Sequence, residues 1–438
     1  MNPSPESQLR SAHLPWHYVV DPLLILTAVW CLISFKIFLV KFGEAGLRPD
    51  DLLLLLSFTG LLLTRRVSRT PLSLPLRIYL AYIAVECLST TWNAFHGRVD
   101  FLYSLVFDLR TLEYVAFYFV GYSLMRSGFR ITKVVTWYFW TLCILIPTQM
   151  VGLVPVPGAF ARGRASGNTN GPYELAIVAA FLLCYLAYRK RSFLKGFLAL
   201  VIIILTASRI TLVAASLSLL HVGFVRSRSK KRALAIMLPI VALVGGLYFL
   251  SATGVVTINA FERIGNSKSY GISDIREMYA LTPTASNAQE YIKGPFEHLN
   301  GLDSDSYEGD ASGLIRFTRW IVLLKSSFAH PDTILLGLGP SFGSAAVDGY
   351  FTRTLVETGF VGSITFGAFL ISLLGARRGT NWYFREYVVI MVVSALFIDV
   401  FLSYKSMMLL LLWHGMNQYR DPATAEACKP RPDPALRD

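Results

Sequence analysis

Charged residues are scarce in this chain. Asp, Glu, Lys and Arg make up 16% of its 438 residues, while hydrophobic residues make up 54%. A soluble globular domain usually has about 25% charged residues. The shortage of charge therefore argues against a water-soluble domain and favours a protein that lies within a lipid bilayer.

Cysteine is also rare, with five residues, and only seven histidines are present. No two cysteines stand at a spacing typical of a disulfide or a zinc site, and the histidines form no HxxxH pattern. We therefore predict no metal site and no bound cofactor. The first apolar run is not followed by a small-residue cleavage site, so we predict that it stays in the protein as an anchor.

Long apolar segments dominate the rest of the chain, and many have the roughly 17 to 25 residues needed to cross the hydrocarbon core of a bilayer. Their continuous hydrophobicity differs from the alternating pattern of an outer-membrane barrel. We predict an all-α polytopic membrane protein with about twelve transmembrane helices. The predicted segments are 19–40, 50–64, 75–94, 101–125, 131–151, 172–188, 194–207, 210–225, 233–252, 350–375, 386–402 and 404–419.

The connections between these segments alternate in charge. The strongly basic ones fall on every second connection, at 65–77, 126–133, 189–195, 226–232 and 376–385. Basic loops remain preferentially in the cytoplasm, so we predict that these loops and both termini are cytoplasmic. The net charge of +13 is then mainly a topology signal, and we predict no nucleic-acid partner.

One long polar segment, 253–349, lies on the opposite, outer face. It divides the chain into nine membrane segments in 1–252, the outer segment itself, three membrane segments in 350–419 and a cytoplasmic tail at 420–438. An ordered loop of this length usually has a function. Within it, 313–328 has apolar residues at helical spacing and predicts an amphipathic helix at the outer surface.

Arginine is the unexpected residue type on the outer face, where basic residues are normally depleted. The planar guanidinium binds phosphate or carboxylate through two hydrogen bonds and keeps its charge when partly desolvated. One interpretation is that each arginine pairs separately with a lipid headgroup or an acidic loop residue. We favour a shared site for a lipid-linked phosphate or diphosphate, formed by Arg162, Arg164, Arg209, Arg316 and Arg319, with Arg353 as a further candidate.

Several other polar residues have simpler interpretations. Arg110 and Glu113 are three residues apart in an apolar segment, so they either pair with each other or, with Asp108, line a substrate cavity. The acidic stretch 302–310 lacks the spacing of a calcium loop and is interpreted as a solvated loop. His298 and His330 are isolated on the outer face, and surface roles are favoured over catalysis.

Three motifs resemble those of the bacterial O-antigen polymerase and O-antigen ligase family. The stretch RASGNTNGPYELAIVAAFLL, beginning at Arg164, is similar to an Arg-x-x-Gly and Pro-x-x-x-Ala stretch of that family, and TASRITLVAAS resembles its Ser-Arg segment. GLIRFTRW, LLGLGPSFG and VDGYFTRTLVETGFVG follow in the order of the family's long-loop signature. The resemblance covers roughly residues 100–375.

This resemblance implies a GT-C-like glycosyltransferase of the bacterial inner membrane, whose long loop is periplasmic and contains short helices. Such enzymes need no nucleotide sugar and no essential metal. They transfer a glycan from undecaprenyl diphosphate to another lipid-linked repeat unit in polymerases, or to lipid A-core in ligases. Ligases usually carry a histidine where this chain has Asp348, so we expect a polymerase. A chain-length regulator and a flippase are expected partners from the resemblance alone.

The implied reaction is attack of an acceptor hydroxyl on the sugar, with undecaprenyl diphosphate as the leaving group. The outer arginines are expected to stabilise the departing diphosphate, and Arg209 is placed among the catalytic residues. Asp348 is the first candidate for a base and Glu357 the second, although Glu357 is also spaced to pair with Arg353. A flippase-like transporter remains the alternative from another class, yet the halves of the chain show no similarity that would favour it.

Overall fold

The computed structural model describes residues 16–35, 37–42, 45–129, 131–155, 164–190, 192–222, 276, 279–280, 282–293, 311–343, 347–375 and 382–419. Arg162, the predicted segment 233–252, the acidic stretch 302–310, His298 and the tail 420–438 lie outside these residues. Predictions that fall on them remain predictions.

The described part of the chain is mainly α-helical, which confirms the predicted helical class. The helices are α1 Trp16–Ile33, α2 Pro49–Leu63, α3 Leu74–Phe95, α4 Phe101–Arg126, α5 Ile131–Met150, α6 Pro172–Leu183, α7 Phe193–Leu205, α8 Arg209–His221, α9 Ala288–Lys293, α10 Ala311–Ser327, α11 Pro331–Leu336, α12 Tyr350–Gly375, α13 Trp382–Ser394 and α14 Tyr404–Gln418. A π-helical turn, Cys184–Arg189, extends α6, and the 3-10 helix Val400–Leu402 precedes α14. Two short antiparallel strands, β1 Val40–Phe42 and β2 Ala45–Leu47, form a hairpin.

Three helical stretches are long and apolar enough to cross a membrane: Ile131–Met150, Pro172–Arg189 and Tyr350–Gly375. Shorter apolar helices lie at Val19–Ile33, Phe193–Leu205 and Arg209–His221. Large apolar side chains are also exposed on the outside, such as Trp137 at 76% and Ile364 at 70%. An all-α membrane protein accounts for both observations, because lipid tails cover such faces where water would not.

The helices pack closely around α6, whose residues from Leu175 to Leu183 are all buried. At the crossing of α4 and α14, glycine allows the two backbones to approach. A Cβ atom at Gly121 would overlap the carbonyl of Leu412, and one at Gly415 would overlap that of Tyr118. Small residues at helix crossings are typical of membrane helix packing.

The structure corrects the bounds of two predicted segments. Segment 19–40 is helical only to Ile33, and the hairpin β1–β2 follows it. Segment 386–402 is interrupted, because α13 ends at Ser394 and a non-helical stretch containing Asp399 leads to the 3-10 helix. Both breaks lie beside the candidate site described below.

Residues 34–35 and 45–48 and the connections 164–171, 206–208, 347–349 and 395–403 meet at one end of the bundle. Lys405 and Asn168 hydrogen bond to the end of α1, and Arg164 bonds to Thr206. Asp399 bonds to backbone groups of 347–349. This end contains the described residues that the sequence assigned to an anion site.

Candidate anion-binding site

The loop 164–171, which carries Arg164, is held by hydrogen bonds from several helices. Gln149 on α5 bonds twice to the backbone of Gly167, at 2.8 and 2.9 Å. The side-chain amide of Asn168 donates to the last carbonyls of α1, Leu32 and Ile33, at 2.7 Å each. The loop is not helical, so these side chains supply hydrogen-bond partners for backbone groups that a helix would have paired internally.

Lys405, at the start of α14, closes the same region from the other side. Its side chain is buried, and its ammonium group donates to the carbonyl oxygens of Leu32, Ser34 and Asn168 at 2.8, 2.8 and 3.0 Å. Glu174 accepts the backbone N–H of Lys405 at 2.8 Å and that of Asn170 at 2.7 Å. The loop therefore has a fixed position relative to α1, α6 and α14.

Arg164 is 7% exposed and contacts a backbone carbonyl and an aromatic ring. Its Nε donates to the carbonyl oxygen of Thr206 at 2.9 Å, and its guanidinium lies 4.6 Å from the centre of the Tyr173 ring. Thr206 belongs to the tight connection between α7 and α8, and Arg209 is the first residue of α8. Arg164 and Arg209 thus come from adjoining connections.

Arg316 on α10 approaches Tyr173 as well. Its Nη2 donates to the Tyr173 hydroxyl at 3.0 Å, and its guanidinium lies 6.0 Å from the centre of that ring. Its Nε pairs with Asp348 at 3.2 Å. Burial opposes the charge of Arg316, but the nearby Asp348 and Tyr173 outweigh that effect, so the pKa of Arg316 is raised.

Tyr173 thus links Arg164 and Arg316, and no motif marked it as a site residue. An aromatic residue at the start of an apolar helix is normally a packing residue. Here the phenol ring contacts two guanidinium groups that belong to distant parts of the chain. Cation–π contacts of this kind hold a positive charge without neutralising it.

Asp348 is partly exposed and has a left-handed backbone, with φ of 57°. This conformation turns consecutive N–H groups to one side, where the Asp399 carboxylate accepts them from Val347, Asp348 and Gly349 at 3.2 to 3.3 Å. Asp399 was not among the predicted site residues. The available signal was a charged residue inside a predicted membrane segment, which is costly unless it has a specific role.

Glu357 lies in a buried ion pair. It is 7% exposed and accepts from Arg353 Nη1 at 2.9 Å, while Arg353 Nη2 reaches Asp399 at 3.0 Å. Of the two interpretations of Glu357, the structure favours pairing with Arg353 over service as a base. The same pair removes Arg353 from the candidates for anion binding, because two carboxylates already balance its charge.

The Gly-x-Gly and Glu-x-Gly motifs meet in one backbone crossing. Gly359 has φ of 66° and interrupts α12, so the carbonyls of Val356 and Glu357 instead accept the N–H groups of Leu338 and Gly339, at 2.7 and 3.1 Å. A Cβ atom at Gly359 would overlap the carbonyl of Leu335. These motifs therefore have a structural role in the part of the chain described.

Arg319 and Tyr291 lie beside each other, away from the contacts that Tyr173 makes. Tyr291 is 2% exposed and packs against Phe342 with ring centres 6.0 Å apart. Burial raises the pKa of Tyr291 to about 12, against the charges of Arg319 and Arg353, which lower it. Arg319 is partly exposed one helical turn from Arg316.

Arg110 and Glu113 pair with each other at 3.3 Å, as the simpler interpretation predicted. They belong to a larger ion network, in which Arg48 contacts Asp51 at 2.8 Å and Arg110 contacts Asp51 at 3.6 Å. Among the residues that the structure describes, no group of three or more His, Cys, Asp or Glu could hold a metal ion.

Comparisons with known proteins do not assign this chain to a family. No protein-family model matches it, and a search of curated proteins finds no match either.

Proposed function

We propose that this chain is a membrane glycosyltransferase that polymerises lipid-linked repeat units, with Arg164, Arg209 and Arg316 as the site for the donor diphosphate. Arg162 and Arg319 would extend this site. One observation carries the proposal: Arg164 and Arg316, from separate segments, lie against the same Tyr173 ring, and Arg316 pairs with Asp348. Such an arrangement suits a doubly charged ligand, because each guanidinium binds one phosphate group.

In the proposed reaction, an acceptor sugar hydroxyl attacks the anomeric carbon of the donor. A new carbon–oxygen bond forms as the bond to the diphosphate breaks, and the electron pair leaves with undecaprenyl diphosphate. The hydroxyl proton passes to Asp348, the carboxylate nearest to the arginines. Fixed cations lower the barrier because negative charge develops on the leaving oxygen.

The proposal includes a topology. The remaining apolar segments would complete about twelve spans in a GT-C-like arrangement, in the inner membrane of a bacterium. The basic connections and both termini would face the cytoplasm, and the end that carries Tyr173 would face the periplasm. Arginine is then present on the depleted face because the substrate requires it there.

The test is transfer by the purified full-length chain in nanodiscs, with an undecaprenyl-diphosphate repeat unit as the probe and no other protein. The expected product is a ladder spaced by one repeat unit. Arg316→Ala and Arg164→Ala should each slow it about a hundredfold, equivalent to about 3 kcal/mol for one preorganised donor. Tyr173→Phe, which keeps the ring and loses one hydroxyl contact, should have a smaller effect.

Arg98→Ala is the matched control, because Arg98 is a partly buried arginine whose partner is Asp332 at 2.7 Å. Equal loss of activity in Arg98→Ala and Arg316→Ala would reject the assignment of the arginines. Absence of a ladder would reject the polymerase, and transfer to added lipid A-core would replace it with a ligase. Movement of the lipid between leaflets without transfer would replace it with a transporter.

A further inference from the structure

Buried polar residues form a continuous stripe between α3 and α4. They recur on one face of each helix at helical spacing, which places them opposite one another across the interface. We call this set the polar seam; it consists of Tyr82, Glu86, Ser89, Thr90 and Asn93 on α3 and Ser104, Asp108 and Thr111 on α4. Among the residues that the structure describes, no basic residue pairs with either of its two carboxyl groups.

Helices α11 and α12 close the seam on its third side. Ser89 Oγ lies 2.5 Å from the carbonyl oxygen of Leu336 and 2.7 Å from that of Glu357. The Tyr82 and Tyr350 hydroxyls are 3.4 Å apart. The carboxyl groups of the seam are therefore enclosed by protein on three sides.

Asp108 and Glu86 are only 3% and 7% exposed. The Thr90 hydroxyl lies beside Asp108, and those of Tyr82 and Thr111 lie beside Glu86. Apart from these hydroxyls, no donor in the described part of the chain reaches either oxygen of Asp108 or Oε2 of Glu86. Within the same residues, neither carboxyl group forms an ion pair.

The groups that face this pair add no positive charge to it. Glu357 on α12 is a third acid, and its partner Arg353 is shared with Asp399 at 3.0 Å. The other titratable neighbours are neutral when protonated: Tyr79, Tyr82, Cys87 and Tyr350. An ionised Asp108 or Glu86 would thus be a buried charge without a counter-charge, which costs several kcal/mol.

A proton fits this site better than a metal cation. Cation sites within membrane helices commonly use backbone carbonyls freed where a helix unwinds. Both α3 and α4 are continuous through the seam, so their carbonyls are used within the helices. A protonated carboxyl group needs only one acceptor for its O–H, and the neighbouring hydroxyls supply one.

We propose that Glu86 and Asp108 are protonated and together form a proton-binding site in the polar seam. The site is separate from the arginine site, and its occupancy can be measured without any substrate. A failure of the glycosyltransfer assay therefore leaves this proposal unaffected, and the reverse also holds.

Infrared spectroscopy tests it, because the C=O stretch of a protonated carboxyl group is resolved from that of a carboxylate. The full-length protein at neutral pH should show this band. Asp108→Asn and Glu86→Gln should each remove one component. Asp51→Asn is the matched control, since the Asp51 carboxylate is largely buried but pairs with Arg48 at 2.8 Å, and it should remove none. A wild-type spectrum without the band, or a band that both seam variants retain, would overturn the proposal.

Thermal stability gives a second readout. An amide replaces a protonated carboxyl group with similar shape and similar hydrogen-bonding groups, so Asp108→Asn and Glu86→Gln should change Tm little. Glu357→Gln should lower Tm more, because Arg353 loses a charged partner. The opposite order would show that the seam carboxyls are ionised and would refute the site.

Discussion

Asp399 offers the sharpest test of how the candidate site is held together. Its Oδ2 accepts the N–H groups of Val347 and Asp348 and pairs with Arg353, and its Oδ1 accepts the N–H of Gly349. Asp399→Asn removes the charge and replaces one acceptor oxygen with an NH2 group. That group would point its hydrogens at a backbone N–H or at a guanidinium.

The size of the effect follows from these contacts. The side chain of Asp399 is 14% exposed and that of Arg353 1%, so water can replace little of what is lost. A hydrogen bond to a charged group contributes about 1.5–3 kcal/mol to stability. The hydrogen bonds that Asp399 accepts from backbone N–H groups are long, with N···O distances of 3.2 to 3.3 Å. Asp399→Asn loses one such bond and one of the two carboxylates that pair with Arg353. These losses should lower the free energy of unfolding by about 3 kcal/mol.

The measurement is thermal unfolding of the purified chain in detergent, followed by tryptophan fluorescence. Asp100→Asn is the matched control, because Asp100 caps α4 by accepting one N–H from Tyr103 at 2.8 Å. Asparagine caps helices about as well as aspartate, so the control should lose only a few tenths of a kcal/mol. If Asp399→Asn lowers Tm no more than Asp100→Asn, the carboxylate does not organise 347–349 and the reasoning is wrong.

Three further variants test other parts of the structure. Gly359→Ala should destabilise the fold by about 2 kcal/mol or more, since φ is 66° there and a Cβ atom would overlap a carbonyl; Gly367→Ala on the same helix, where a Cβ meets nothing within 4 Å, should not. Lys405→Met removes the ammonium group that donates to the carbonyls of Leu32, Ser34 and Asn168, and it should lower Tm by more than Lys405→Arg; equal values would show that these bonds do not hold the loop 164–171 in place. Although burial opposes it, Arg98 lowers the pKa of Asp332 to about 2 from 3.8. Because the folded pKa is lower, this pair stabilises the fold above about pH 4 and loses its effect as the pH falls towards 2. Wild type and Asp332→Asn should therefore differ at pH 7 by less than about 1 kcal/mol in the free energy of unfolding, because the pair is so exposed, and their Tm values should converge in acid.

The helices were predictable because the length and composition of long apolar runs indicate membrane helices. The two misplaced bounds share a physical cause, since each is set by partners distant in sequence. Helix α1 ends where Asn168 and Lys405 take its last carbonyls. Helix α13 ends before Asp399, whose carboxylate is used by the backbone at 347–349. A hydrophobicity pattern cannot predict either interaction, because the partners are distant in sequence.

The site was partly predictable for a similar reason. Arg164 and Arg316 stood out because basic residues are unusual on the predicted outer face, and Asp348 because ligases of the resembling family carry a histidine there. The structure connects these three through Tyr173 and the pair of Arg316 with Asp348. Tyr173 and Asp399 were missed, because the importance of each depends on what it touches. Glu357 was instead the second candidate for the base. Its spacing to Arg353 also indicated an ion pair, and the structure contains that pair.

The way the arginines are held bears on what they can do. A flexible arginine must be ordered when a ligand arrives, and this ordering reduces the binding energy. Arg164 is instead fixed by the Thr206 carbonyl and the Tyr173 ring, and the loop that carries it is fixed by Gln149 and Lys405. These contacts restrict the positions that its guanidinium can take. Preorganised charge of this kind stabilises negative charge that develops during a reaction, which surface arginines on mobile loops do poorly.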